Sequence, residues 1–191
     1  TTMTKIKEHT EEAFIGMIYY KYKVEDRRDL SIYTIDPAVS KDFDDAFGVQ
    51  MLGQQDPNYI LSIYISNVTF WFDILDIWES FSERISTIYL PDRKRPMLPT
   101  MLSDCLCSLQ EKRTRFALTL DLHINKATDE IVKYDLKNTM IKVKKNYRYD
   151  TNELDDNAVK LAFITTKNLN KKNKYIDKIN TTHNMIAYMM I

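Results

Sequence analysis

The 191 residues, 44% of them hydrophobic, are enough for one mixed domain with a real apolar core and too few for two well-packed ones. Lys and Arg number 27 against 27 Asp and Glu, so the molecule has no net field to attract a polyanion, and any nucleic-acid contact must be local. Two cysteines, Cys105 and Cys107, cannot staple a chain of this size and suit a reducing compartment; no signal-like or membrane-spanning apolar run is present, so the expectation is a soluble, intracellular protein without a membrane partner.

In chain order, residues 8–23 place apolar side chains at helical intervals, with Thr10 ahead of the first turn. Arg27 to Leu30 is a charged connector. Ser31 to Asp36 predicts a short strand that Pro37 must end. The apolar runs 46–52 and 59–66, joined by Gly53-Gln54-Gln55-Asp56-Pro57-Asn58, predict an antiparallel hairpin. Phe72, Leu75, Ile77, Phe81 and Ile85 mark one face of a helix over 72–85. Residues 116–124 alternate strongly, predicting a strand with Phe116, Leu118, Leu120, Leu122 and Ile124 inward and Asp121 and His123 on an exposed face. Residues 131–136 and 138–143 continue that sheet, and 151–191 reads as two helices separated by the polar stretch 168–174.

The chemistry concentrates in Tyr33-Thr34-Ile35-Asp36-Pro37-Ala38-Val39-Ser40-Lys41-Asp42-Phe43-Asp44-Asp45-Ala46, where four carboxylates fall within ten residues at intervals of six, two and one. Mutual repulsion raises the pKa of crowded aspartates, whereas a divalent cation keeps them ionised. Hard oxygen donors suit Mg²⁺ or Mn²⁺, and such an ion serves phosphoryl chemistry. A calcium loop of EF-hand type fails, because the twelfth position is Phe47 counted from Asp36 and Gly53 counted from Asp42. An exposed acidic turn that caps the next element is the competing reading.

Neighbouring residues extend the pattern. Arg27-Arg28-Asp29-Leu30, then Tyr33-Thr34-Ile35-Asp36-Pro37 and Lys41-Asp42-Phe43-Asp44-Asp45-Ala46, resembles the opening signature of RNB-family exoribonucleases. Residues 86–93 (Ser-Thr-Ile-Tyr-Leu-Pro-Asp-Arg), 96–99, 102–104 and 106–109 resemble its second signature, in order. The resemblance implies an α+β RNB-type catalytic domain, a mixed or antiparallel sheet with packed helices. The expected organisation is an N-terminal helix and linker over residues 1–26 and, over residues 27–191, the N-terminal portion of that domain, truncated on its C-terminal side. It further implies Mg²⁺- or Mn²⁺-dependent 3′-to-5′ hydrolysis of single-stranded RNA to nucleoside 5′-monophosphates. Asp36, Asp42, Asp44 and Asp45 fall on the catalytic and metal-holding aspartates, Tyr89 falls on the residue that stacks on the 3′ base, and Arg93 is assigned to the RNA-binding set. An aromatic face suits a sequence-tolerant contact with any base.

Three departures stand against the pattern. Ser66-Asn67-Val68-Thr69 has an amide where the family has a carboxylate, residues 187–191 lack the expected glutamates, and no Ser-Pro-Ile-Arg-Arg-Tyr-like segment supplies phosphate-gripping arginines. They motivate a second expectation, a catalytically inactive or split RNB-fold protein acting in RNA binding or assembly, with a second chain completing the domain. Cys105 and Cys107 read as inert buried thiols, His183 as a cap or packing residue, and Lys144, Lys145, Arg148 and residues 167–178 as solvated basic faces with RNA-backbone contact as the competing use.

Overall fold

The computed structural model describes residues 11–81, 86–95, 97–148 and 157–172. Its elements are α1 (Glu11–Tyr22), β1 (Glu25–Asp26), β2 (Ile32–Asp36), β3 (Asp45–Met51), β4 (Asn58–Ser66), α2 (Thr69–Leu75), α3 (Trp78–Phe81), β5 (Ile88–Tyr89), β6 (Lys94–Arg95), a π-helical segment (Met101–Cys107), β7 (Thr114–Asn125), β8 (Ile131–Lys142), β9 (Lys145–Arg148) and α4 (Asn157–Lys172).

Seven strands form one mixed sheet in the order β1-β8-β7-β4-β3-β2-β9, and β5 pairs with β6 apart from it. The centre is antiparallel; β1 with β8 and β2 with β9 are parallel. The 46–52 and 59–66 runs are indeed a hairpin, Phe47 opposite Ile63 and Val49 opposite Leu61, with Gly53 at φ 126 in its turn, a conformation that favours glycine. The two segments of 131–143 form a single strand, β8, paired along its length with β7.

Three apolar clusters flank the sheet. Helix α1 sends Phe14 and Ile18, one turn apart, against Trp71 and Leu75 of α2, with Phe116 and Met140 beneath. Helix α4 sends Val159 and Ala162 against Phe47, Leu61 and Ile124. Ile32, Ala46, Tyr64, Leu109 and Ile141 fill a third cluster. Strand β2, flanked by β3 and β9, is buried on both faces, which explains its weak alternation.

Three expectations change. The helix predicted over 72–85 begins earlier, at Thr69, and breaks at Asp76, which adopts φ 56 before α3 resumes; Asp is among the residues that tolerate this left-handed turn. The Asp73 carboxylate, accepting from Tyr22 Oη and Trp78 Nε1 at 2.5 Å each, clasps the break, while Ile85 lies outside the described residues. On β7 the expected inward face holds at its ends, Phe116 and Ile124 being 2% and 0% exposed, but not in between. Asp121 is 2% exposed and forms a bidentate pair with the buried Arg27 at 2.8 and 2.7 Å, whereas Leu118 is 40% exposed. Burial alone would raise the Asp121 carboxyl, but hydrogen bonds from Arg27 and Ser62 hold it below its ordinary value. The polar stretch 168–172 continues α4 instead of interrupting it; the predicted second helix falls outside the described residues.

Candidate metal and nucleotide site

Strand β2 ends at Asp36 and β3 begins at Asp45, so the acidic loop is the connection between two adjacent strands. Its ends are anchored by Ile35 and Ala46, 5% and 0% exposed, which holds the loop at the strand ends with Asp36, Asp42 and Asp45 partly buried and Asp44 exposed. The loop backbone is tied down on both sides. Leu109 N–H donates to Phe43 O at 2.8 Å, and Ser66 N–H donates to Asp44 O at 2.7 Å.

Asp36 and Asp45 are half-buried carboxyls in each other's field. Burial pushes Asp36 up to about 6, with the charges of Asp44 and Asp42 adding to it and a hydrogen bond with the Thr34 hydroxyl opposing it. Burial pushes Asp45 up to about 7, and the charges of Asp36 and Asp44 add to that. Asp36 Oδ2 is buried and has no hydrogen-bond partner. All four sequence-predicted aspartates therefore belong to one electrostatic neighbourhood. The capping-turn reading does not account for a buried carboxylate oxygen that caps nothing.

Asp42 and Asp44 open onto a cavity of about 340 Å³ whose apolar wall is Ile65, Val68, Met97 and Leu98. Its volume lies at the lower end of the ~300–1,000 Å³ typical of small-molecule sites. Thr87, two residues before Tyr89, also lines it, and Thr87 Oγ1 accepts from Met97 N–H at 3.1 Å. Tyr89 is on β5; its side chain, on which the stacking expectation rests, lies outside the described residues. Arg93 sits in the β5–β6 turn, exposed, 3.9 Å from its neighbour Asp92.

The donors suit a hard cation: carboxylate oxygens, one of them buried and unsatisfied, whose like charges a divalent ion would offset. Among the described residues, no three Asp, Glu, His or Cys side chains already form a group able to hold an ion, so the fit lies in donor chemistry and not in a closed cage.

The sequence did not expose the residues that hold the aspartates in place. Asn146 Nδ2 donates to Thr34 Oγ1 at 2.8 Å and to Leu109 O at 3.0 Å, which leaves the Thr34 hydroxyl proton for Asp36. Asn146 lies 112 positions from Thr34, and only the parallel β2–β9 pairing brings them together. Of the two thiols, Cys107 is buried, pushed up to about 12 chiefly by burial, and touches the cavity; Cys105 is exposed, contrary to expectation, because residues two apart on a helical segment point to nearly opposite sides.

An acidic strand-end loop beside a nucleotide-sized cavity on a mixed sheet is the frame of a ribonuclease-type domain, and comparison with known proteins agrees. The chain belongs to the RNB domain family, whose model matches residues 24–179. It is 35% identical over 172 residues to ribonuclease R of Thermotoga maritima, covering 80% of this chain and 24% of that protein. It is 36% identical over 133 residues to exoribonuclease 2 of Vibrio cholerae, covering 69% of this chain and 19% of that one. In three dimensions it matches Mycoplasma genitalium RNase R in complex with double-stranded RNA, with TM-score 0.69 and 25% identity over 86% of this chain and 30% of that one. The chain thus spans about a quarter or less of the length of the curated relatives it matches.

Proposed function

We propose that this chain supplies the metal-holding part of a 3′-to-5′ exoribonuclease that releases nucleoside 5′-monophosphates from single-stranded RNA. One observation carries the reading: half-buried, mutually repelling carboxyls, with Asp36 Oδ2 lacking any partner, beside a cavity opened by Asp42 and Asp44. Asp36, Asp42, Asp44 and Asp45 would hold Mg²⁺ or Mn²⁺. When bound, such an ion polarises a phosphoryl oxygen and lowers the pKa of an attacking water. Thr34 orients Asp36 through its hydroxyl. The wall of Ile65, Val68, Met97 and Leu98 excludes water from one side of the terminal nucleoside. Tyr89 stacks on its base, and Arg93 meets the RNA backbone as an exposed cation.

The test is Mg²⁺-dependent shortening of 5′-labelled single-stranded RNA by the 191-residue chain and by Asp44→Asn. Loss of shortening with an unchanged circular dichroism spectrum is the expected outcome; undiminished shortening by the variant refutes the reading. A second reading, RNA binding without turnover, is favoured by the lack of a preformed ion-holding group among the described residues. It predicts single-strand affinity that falls with salt and with Tyr89→Ala, and no products.

A further inference from the structure

Asp42 has peptide neighbours on both sides that converge on a single buried side chain. The Ser108 hydroxyl accepts a hydrogen bond from Phe43 N–H at 3.0 Å and donates one to Lys41 O at 3.3 Å. Ser108 is 0% exposed. A hydroxyl is both donor and acceptor, so one small group can grip a carbonyl and an amide that flank the same residue.

Ser108 is itself held. Buried Arg115 donates from Nε to Ser108 O at 2.8 Å and from Nη2 to Cys105 O at 2.7 Å, and it is paired with Glu11 of α1 at 2.7 Å. Leu109 N–H and Ser66 N–H take the loop carbonyls of Phe43 and Asp44. Helix α1, the end of the π-helical segment and the acidic loop are thereby joined through one guanidinium and one hydroxyl. This joint lies outside the aspartate cluster but holds the backbone on both sides of Asp42.

We propose that Ser108, fixed by Arg115, is a positioning residue for Asp42: it sets the backbone on both sides of that carboxylate and so sets the site's affinity for its cation. The inference rests on the metal-holding reading above. Groups one step removed from a ligand typically change metal affinity by about 10–100-fold when lost.

The experiment titrates Mn²⁺ into the intact chain by electron paramagnetic resonance, comparing wild type, Ser108→Ala, Ser108→Thr and Thr139→Val. Thr139, 0% exposed and 2.7 Å from the Thr119 hydroxyl, is an equally buried hydroxyl remote from the loop. Expected are about tenfold or weaker Mn²⁺ binding in Ser108→Ala, recovery in Ser108→Thr, and wild-type affinity in Thr139→Val despite a lower melting temperature. Equal affinity of wild type and Ser108→Ala overturns the proposal, and so does an equal loss in Thr139→Val. A wild type that binds no Mn²⁺ instead overturns the metal-holding reading. Should Ser108→Ala not fold, amide exchange in wild type decides: Phe43 N–H must be protected, and free exchange at that amide in the folded chain refutes the role.

Discussion

Replacing Asp45 by Asn should make the cation-free protein more stable at neutral pH. In the folded chain the Asp45 carboxyl is pushed up to about 7 by burial and by Asp36 and Asp44, against about 3.8 when unfolded. Below about pH 4 both states hold the proton and there is no penalty. As pH rises from about 4 to about 7 the unfolded carboxyl ionises while the folded one does not, so stability falls, and above about 7 the loss is complete. Roughly 3 pH units at about 1.36 kcal/mol each give a ceiling of about 4 kcal/mol, and the partial exposure of Asp45 halves this to about 2 kcal/mol. Asparagine keeps the shape without the charge. Urea denaturation in EDTA at pH 5, 7 and 8.5 should show wild type weakening with pH more steeply than Asp45→Asn, and the variant ahead by about 2 kcal/mol at pH 8.5, roughly 4–8 °C in melting temperature. Added Mg²⁺ should stabilise wild type and narrow the gap, because an ion bound only by the folded state shifts the equilibrium by mass action. If the variant is less stable than wild type in EDTA at pH 8.5, the claim that these charges repel in the folded state is wrong.

Arg27→Ala removes the bidentate partner of the buried Asp121 carboxylate, leaving it Ser62 and the more distant Lys137, and should cost about 3 kcal/mol in urea denaturation, while Arg27→Met with Asp121→Leu should recover most of it. Gly48→Ala places a methyl 2.9 Å from the Ser31 carbonyl oxygen, a backbone atom that cannot swing away, and should cost roughly 1–3 kcal/mol by the same assay. Ellman's reagent should modify one thiol per folded chain, Cys105, and two after denaturation; rapid modification of Cys107 in the folded state would contradict its burial and its thiol pushed up to about 12.

Local rules reached some of this structure and missed the rest for identifiable reasons. The β3–β4 hairpin was legible because alternation and the Gly53-Gln54-Gln55-Asp56-Pro57-Asn58 connection agree within 21 residues, 46–66. The acidic loop was legible because its carboxylates are consecutive enough to be forced together by one strand connection. At β7 the ends were legible, Phe116 and Ile124 being buried as the alternation predicts, but the middle was not. Alternation does not reveal that the second face is covered as well, and a charged residue such as Asp121 is read outward unless its partner is known. That partner, Arg27, lies 94 positions upstream in a stretch that reads as a charged connector. The helix break at Asp76 depends likewise on Tyr22, 51 positions before the Asp73 that clasps it. Distance in sequence, more than chemistry, separates what was read from what was missed.

The amide at position 67 shows how a departure from a family pattern can be absorbed by its surroundings. Asn67 is 9% exposed at the entrance to α2, and its Oδ1 accepts from Thr69 N–H at 3.2 Å and from the Thr69 hydroxyl at 2.5 Å. A carboxylate could accept both bonds equally well. The amide adds a donor, and Asn67 Nδ2 reaches Asn138 Oδ1 at 3.1 Å across the sheet on β8. An aspartate there would lose that donor, leaving only the Asn138 amide to supply one, and would add a charge near a loop already crowded with them. The amide at 67 therefore ties the turn ahead of α2 to Thr69 and, through Asn138, to β8, and its side-chain hydrogen bonds go to those two residues and to none of the four aspartates.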